Sequence, residues 1–275
     1  MTFEQLNSPG LDYLSCRYDG SKLMFRGPRK RLDEPYIAVI GSTDVYGRFA
    51  ETPISELLEA STGYRVVNLG HLNAGVDAFL QDPAILTICR NAELTIVQVM
   101  GAQNMSNRMY TVHPRRNDRL VATSNFLKTL YREPDYTQFH FTRHLLSTLA
   151  DISSDRFDLV AEELGAAWTA RMKTLFRQIG GNTCLLWMSD RTPDATSNRD
   201  PLGHDPQFVG REHLDELHDL VAEYVEVVAT PEEILAGRER MVFNQYEEPI
   251  AREVLGPIVY ETAARALSGV VHEMM

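Results

Sequence analysis

The sequence predicts an α/β domain: a three-layer sandwich built on a five-stranded parallel sheet. Three observations predict it. Short apolar runs alternate with longer amphipathic segments, three of those runs close on a glycine (Gly41, Gly70 and Gly101), and the first is apolar without interruption. Strands buried on both faces read this way, and strands joined through helices must cross over right-handedly with helices on both sides of the sheet.

Residues 1–34 carry Gly, Pro and a basic cluster (Arg26, Arg29, Lys30, Arg31) without sustained periodicity, and read as an irregular arm. A single α/β domain over residues 35–275 follows, with an insertion at about 102–150. The first strand is Tyr36-Ile37-Ala38-Val39-Ile40, closed by Gly41. A helix at about Pro53 to Ser61 puts Ile54, Leu57 and Leu58 on one face and stops at Gly63. Strand two is Tyr64 to Gly70, a helix across Val76 to Asn91 returns the chain, and strand three runs from Leu94 to Met100. The insertion is polar at first, then helical near Asn125 to Leu130 and Thr142 to Leu149. A long amphipathic helix from Arg156 to Ile179 precedes strand four, Thr183 to Met188. A polar loop, a helix at Glu212 to Ala222, strand five at Val225 to Val228 and a helix within Pro257 to Val271 complete the chain.

Composition narrows the function classes. A net charge of −11 opposes a general nucleic-acid surface, which depends on a basic footprint. No stretch approaches the roughly 18 to 20 apolar residues of a membrane helix, and the start of the chain lacks the pattern of a secretory signal, so a cytoplasmic protein is expected. Cys16, Cys89 and Cys184 show no disulfide or zinc spacing, and Cys89 and Cys184 lie in apolar segments as core residues. His140 and His144, four apart, could share a helical face, but no intervening glutamate or third ligand accompanies them, so no metal site is expected. No cofactor is implied either, since neither a Walker A loop nor GxGxxG follows a strand.

In an open parallel sheet ligands gather outside the carboxyl ends of the strands, where the strand order reverses. For a flavodoxin-like order that point lies between strands one and three, so the loops at 41–49 and 101–119 form the candidate site. The first offers Ser42, Thr43 and Asp44 between Gly41 and Gly47. A hydroxyl here could serve as a nucleophile, and Ser, Thr and Asp are equally the residues that cap a helix. The second carries Gln103 and Asn104 and continues through Arg108, Tyr110, His113, Arg115 and Arg116 to Arg119, with four arginines against one aspartate. Guanidinium forks suit carboxylate, phosphate or sulfate, so an anionic or sugar-derived small molecule is the expected ligand, held by Asp44, Arg108, Tyr110, His113, Arg115 and Arg116. His113 is also a candidate base.

Gly41-Ser42-Thr43-x-x-x-Gly47 resembles the first block of the SGNH/GDSL hydrolases, whose turn reads Gly-Asp-Ser with a second glycine at this spacing. Val67-Asn68-Leu69-Gly70 with Asn73-Ala74-Gly75 resembles the second block, and Gly101-Ala102-Gln103-Asn104 the third, Gly-x-Asn-Asp. The resemblance spans roughly residues 36–110 and implies an ester hydrolase or acyl transferase of SGNH-like strand order. Thr43, or Ser42, would be the nucleophile, with Gly70 and Gln103 or Asn104 as oxyanion donors. The sequence departs from the pattern where the family's Asp-x-x-His should stand: residues 229–258 hold no histidine, and Tyr260 occupies the matching place. Asp200-Pro201-Leu202-Gly203-His204, after strand four, offers a substitute base in His204 with Asp200 as its orienter. The whole chain also resembles a bacterial family of unknown function that carries the segment Gly-Ala-Gln-Asn-Met-Ser-Asn-Arg. The expectation is thus an SGNH-like hydrolase or acyl transferase acting on an ester, a carbohydrate substituent among the candidates. Two alternatives stand beside it: a non-catalytic binding protein for an anionic small molecule, and a sulfuryl or phosphoryl transferase.

Overall fold

The computed structural model describes residues 10–195, 203 and 205–275. Its central sheet has five strands in the order β2-β1-β3-β6-β7, every neighbouring pair parallel. These are β1 (Tyr36–Gly41), β2 (Arg65–Gly70), β3 (Leu94–Gln98), β6 (Thr183–Ser189) and β7 (Glu223–Val228), and β4 (Tyr110–His113) and β5 (Arg116–Thr123) form a separate antiparallel hairpin. The expected α/β sandwich and its flavodoxin-like order are what the structure shows. Strand order reverses at β1, which is flanked by β2 on one side and β3 on the other.

The pleat sorts the apolar runs between two layers, because successive strand residues face opposite ways. Ile37 and Val39 of β1 join Cys184 and Leu186 of β6 on one face, under α2 (Ile54–Thr62) and α11 (Pro257–Met274). Ala38 and Ile40 join Leu185 and Trp187 on the other, under α3 (Val76–Leu80), α4 (Pro83–Asn91) and α7 (Ser154–Ile179). Gly63 ends α2 at φ 74°, a left-handed conformation that a glycine adopts without strain.

Several elements depart from the pattern read in the sequence. The helix expected across Val76 to Asn91 is two helices, α3 and α4, broken at Asp82-Pro83. Pro83 has no N–H to continue α3, while the Asp82 carboxylate caps α4 by accepting from the N–H groups of Ala84 and Ile85. Loop 101–119 is not open throughout, since β4 and β5 fold residues 110–123 into the hairpin. The helix expected at Glu212 to Ala222 shrinks to α8 (Arg211–Asp215) and a 3₁₀ turn, His218–Leu220. A helix α9 (Pro231–Glu239), absent from the sequence reading, starts at Thr230-Pro231-Glu232-Glu233, a capping box with proline at the first helical position. The remaining α-helices among the described residues are α1 (Thr43–Tyr46), α5 (Asn125–Leu130), α6 (Thr142–Ile152) and α10 (Glu248–Ala251).

Residues 10–34 contribute Tyr18, Leu23 and Phe25 to the core, with Cys16 and Phe25 joined in an antiparallel bridge. Arg26 is buried there and donates to the carbonyls of Gly47, Ala50 and Glu51, which pins the segment to the turn after β1. Among the described residues no helix is long and apolar enough to cross a membrane.

Candidate functional site

The three polar residues after β1 separate as soon as the chain enters α1. Ser42 is 3% exposed; its N–H donates to Gln98 Oε1 at 2.9 Å, and its hydroxyl is buried with no partner among the described residues. Asp44 turns into the core, where its Oδ1 accepts from Leu255 N–H at 3.0 Å and Tyr260 O–H at 2.8 Å. Burial and the Asp44 carboxylate hold the Tyr260 phenol well above its ordinary pKa. Only Thr43 reaches toward the loop after β2. Its Oγ1 accepts from the backbone N–H of Asn73 at 3.0 Å and donates to Asn73 Oδ1 at 3.3 Å. Ser42 and Asp44 are therefore buried and line neither the cavity between these loops nor the groove beside it, in contrast to their expected roles as alternative nucleophile and ligand contact.

The donor expected at Gly70 is also engaged: its N–H donates to Asn68 Oδ1 at 2.9 Å. The amide that reaches the Thr43 hydroxyl belongs to Asn73, held at φ 53°, in the left-handed region asparagine tolerates better than most residues. Asn73 also carries the site outward, since its carbonyl accepts from Asn104 Nδ2 at 3.2 Å and its Nδ2 contacts Asp118 Oδ2 at 3.4 Å. Asn104 Oδ1 in turn accepts from Thr142 Oγ1 at 2.8 Å.

The loop after β3 is fixed by buried contacts. The Gln103 side chain folds over Gly101 and donates through Nε2 to Asp205 Oδ1 at 2.7 Å. Tyr110 is 1% exposed and donates its phenol to Gln103 O at 2.7 Å, so it braces this loop from within the core rather than touching a ligand. Asp77 holds the other flank, accepting from Ser106 N–H at 2.9 Å and from Arg171 Nε at 2.9 Å. Gly75 lets the loops close on each other, because a Cβ there would sit 1.8 Å from Asn104 O.

Between these loops lies a cavity of about 480 Å³ whose walls include Asn73, Gln103, Asn104, Asp118, Thr142, His144 and Asp205. Its size suits a small-molecule ligand, and its walls present amides and carboxylates together with the Arg143 guanidinium and the rings of Phe141 and His144. Asp200 and His204 lie outside the described residues, but Gly203 and Asp205, on either side of His204 in the chain, both line the cavity. His140 precedes α6, whose His144 packs its ring on Phe139 at 4.9 Å, so the two histidines do not share a helical face. Sequence reasoning missed Asn73, Asp118, Thr142 and Asp205 as lining residues. The one signal for Asn73 was its place in Asn73-Ala74-Gly75 after β2.

The arginines divide. Arg108 is bound to Glu163 through its backbone N–H (3.1 Å) and its guanidinium (3.5 Å) and stacks over Phe126 at 5.5 Å; it lines neither this cavity nor the neighbouring groove. His113, Arg115 and Arg116 instead line that groove, which holds about 820 Å³ and meets the cavity at Asn73 and Asp118.

Fold and site together define an α/β sandwich protein with a polar, ligand-sized cleft at the switch point of its sheet. The chain belongs to the family described as Domain of unknown function (DUF6473), whose model matches residues 1–275. No curated protein matches it. Among solved structures, the chain is similar to the lipase Lip_vut3 from goat rumen metagenome, at 11% identity and a TM-score of 0.42 over 86% of this chain and 97% of that one. It is also similar to BT4096, a gut microbial diltiazem-metabolizing enzyme, at 10% identity and a TM-score of 0.33 over 88% of this chain and 47% of that one.

Proposed function

We propose that the protein is an SGNH-like hydrolase or acyl transferase acting on an ester, with a carbohydrate substituent as the substrate and Thr43 as the nucleophile. The observation that carries the reading is the Thr43 hydroxyl 3.0 Å from the backbone N–H of Asn73, which lines the polar cavity at the carboxyl edge of the sheet; Thr43 itself stands behind Asn73 and is not one of the lining residues. Attack by Oγ1 on the ester carbonyl places negative charge on the carbonyl oxygen, and the Asn73 N–H, which donates to Oγ1 in the free protein, would turn from Oγ1 to that oxygen as the bond forms. The alcohol leaves, and water or an acceptor hydroxyl takes the acyl group from Thr43.

A hydroxyl needs a base, whose contribution is typically about 10²- to 10⁴-fold. Asn73 Oδ1, the present acceptor of the Thr43 proton, is an amide oxygen and cannot take it up. His204 is assigned as the base, with Asp200 as its orienter, and His144 on the cavity wall is its competitor for the role. The test is turnover of acetylated sugars and generic aryl esters by the parent, T43A, T43S, H204A and H144A. Loss in T43A with recovery in T43S is expected, and unchanged turnover in T43A overturns the assignment.

The Thr43–Asn73 amide contact favours a second reading, in which the cleft binds its ligand without turning it over. Calorimetry with sugar esters separates the two: binding with no product formed by the parent supports the second.

A further inference from the structure

The cavity opens onto a groove of different character. The arm supplies Arg17 and Lys22 to it, the β4–β5 hairpin supplies Arg115, Arg116 and Arg119, and among the described residues Asp118 is the only carboxylate on its walls. In a chain of net charge −11 this is a local reversal of sign. Many surface arginines elsewhere are matched to carboxylates, as in Arg29–Asp19, Arg156–Glu133 and Arg211–Asp194, while Arg90, Arg132, Arg177 and Arg265 stand singly and apart from the groove, so what distinguishes the groove is the clustering of its cations. Arg17, Lys22, Arg115 and Arg116 make no ion pair with a described residue.

The frame that carries these cations is built rather than loose. Asp82 Oδ2 accepts from Ser21 Oγ at 2.8 Å and Lys22 N–H at 3.0 Å, fixing the arm. Asn117, 1% exposed, fixes the hairpin by accepting from the N–H groups of Gly75 (2.9 Å) and Ala78 (3.2 Å). The His71 ring spans the two walls, with Nδ1 3.1 Å from Met24 O and Nε2 2.9 Å from Arg115 O. Unpaired cations held on a preformed frame lower the ordering cost of binding an anion.

We propose that this groove is an anion subsite of the same cleft, taking the carboxylate or sulfate groups of an acidic oligosaccharide while a neighbouring ring occupies the polar cavity. Asn73 and Asp118 line both spaces, so one extended ligand can fill both. The amide and carboxylate walls of the cavity pair with sugar hydroxyls. A long polyanion such as nucleic acid is disfavoured, because beyond the groove it meets the repulsion of an acidic surface. The inference rests on the reading of the cleft as a carbohydrate site, but it concerns binding and is tested without turnover.

The experiment is calorimetry on the full chain with uronate oligosaccharides, sulfated oligosaccharides, neutral oligosaccharides of equal length, and single-stranded nucleic acid. An acidic oligosaccharide is expected to bind at least about tenfold more tightly than its neutral counterpart, and the advantage should fall as salt screens the groove. The uronate and sulfated arms show which anion is preferred. R115Q/R116Q and R17Q/K22Q, all surface positions, should each weaken acidic-ligand binding by about tenfold or more, whereas R108Q should leave it unchanged. Equal affinity for acidic and neutral ligands, full affinity in both double variants, or tighter binding of nucleic acid overturns the proposal. Intact acidic-ligand binding with no turnover of any ester counts against the Thr43 reading alone. Turnover of neutral sugar esters without acidic-ligand binding counts against the subsite alone.

Discussion

Substituting Asp44 tests whether the polar turn after β1 serves the cleft or the fold. Its carboxylate accepts from Leu255 N–H at 3.0 Å and Tyr260 O–H at 2.8 Å, both buried, and so ties α1 to the start of α11. D44A leaves two buried donors without their acceptor, at about 1–3 kcal/mol each, for an expected loss of about 2–6 kcal/mol. That is a large part of the roughly 5–15 kcal/mol by which a domain is stable. Y260F removes one donor but leaves Leu255 N–H on the carboxylate, so a smaller loss of about 1–3 kcal/mol is expected. Since the two residues share a bond, their losses should not add, and a double-mutant cycle should return a coupling of about 1–2 kcal/mol. Urea unfolding followed by fluorescence reads this directly, because Trp168 and Trp187 are both fully buried. A D44A protein within about 0.5 kcal/mol of the parent, yet without ligand binding or turnover, would refute the structural role and return Asp44 to the cleft.

Three further outcomes follow from the same contacts. G75A should disorder the cleft, since its Cβ would lie 1.8 Å from the backbone oxygen of Asn104; a melting-temperature loss with reduced binding is expected, and a neutral G75A refutes the close approach. N73G should keep the N–H on Thr43, because glycine accepts the φ of 53°, whereas N73V should strain the loop and lower kcat; equal kcat in both shows that the amide is not used. Burial pushes the thiols of Cys89 and Cys184 up to about 12, from an ordinary value of 9.0. The folded state keeps these protons while the unfolded chain loses them, so stability is intact below about pH 9 and falls as pH rises toward 12. Each thiol contributes a slope of about 1.4 kcal/mol per pH unit in that window, to be read from urea melts at pH 8 to 11 in the parent and a C89A variant.

The sheet was legible because each signal was local and repeated. An apolar run closed by glycine fits a buried parallel strand, and the register of Gly41 opposite Gly70 shows two such runs ending together. What escaped was decided elsewhere. The β4–β5 hairpin is half exposed, so its mixed polarity reads as loop, and it owes its position to Asn117 binding the start of α3. The break between α3 and α4 and the start of α9 were present in the sequence, as Asp82-Pro83 and as the capping box at Thr230, and both outweigh the apolar spacing around them.

The site was legible as a place and not as a set of contacts, and the reason is geometric. Ser42, Thr43 and Asp44 are consecutive at the start of a one-turn helix, where successive side chains diverge by about 100°. One position in such a run can face the cleft while its neighbours face the core, and composition does not say which. The surroundings decide. Gln98 receives the Ser42 N–H beneath β1, Tyr260 and Leu255 claim Asp44 from α11, and the loop after β2 brings the Asn73 amide to Thr43. Tyr260, at the place where the SGNH pattern puts a histidine, thus spends its hydroxyl on holding the turn. On the proposed reading, a proton acceptor for Thr43 would come from the other side of the cleft, the side to which Gly203, Asp205 and His144 contribute.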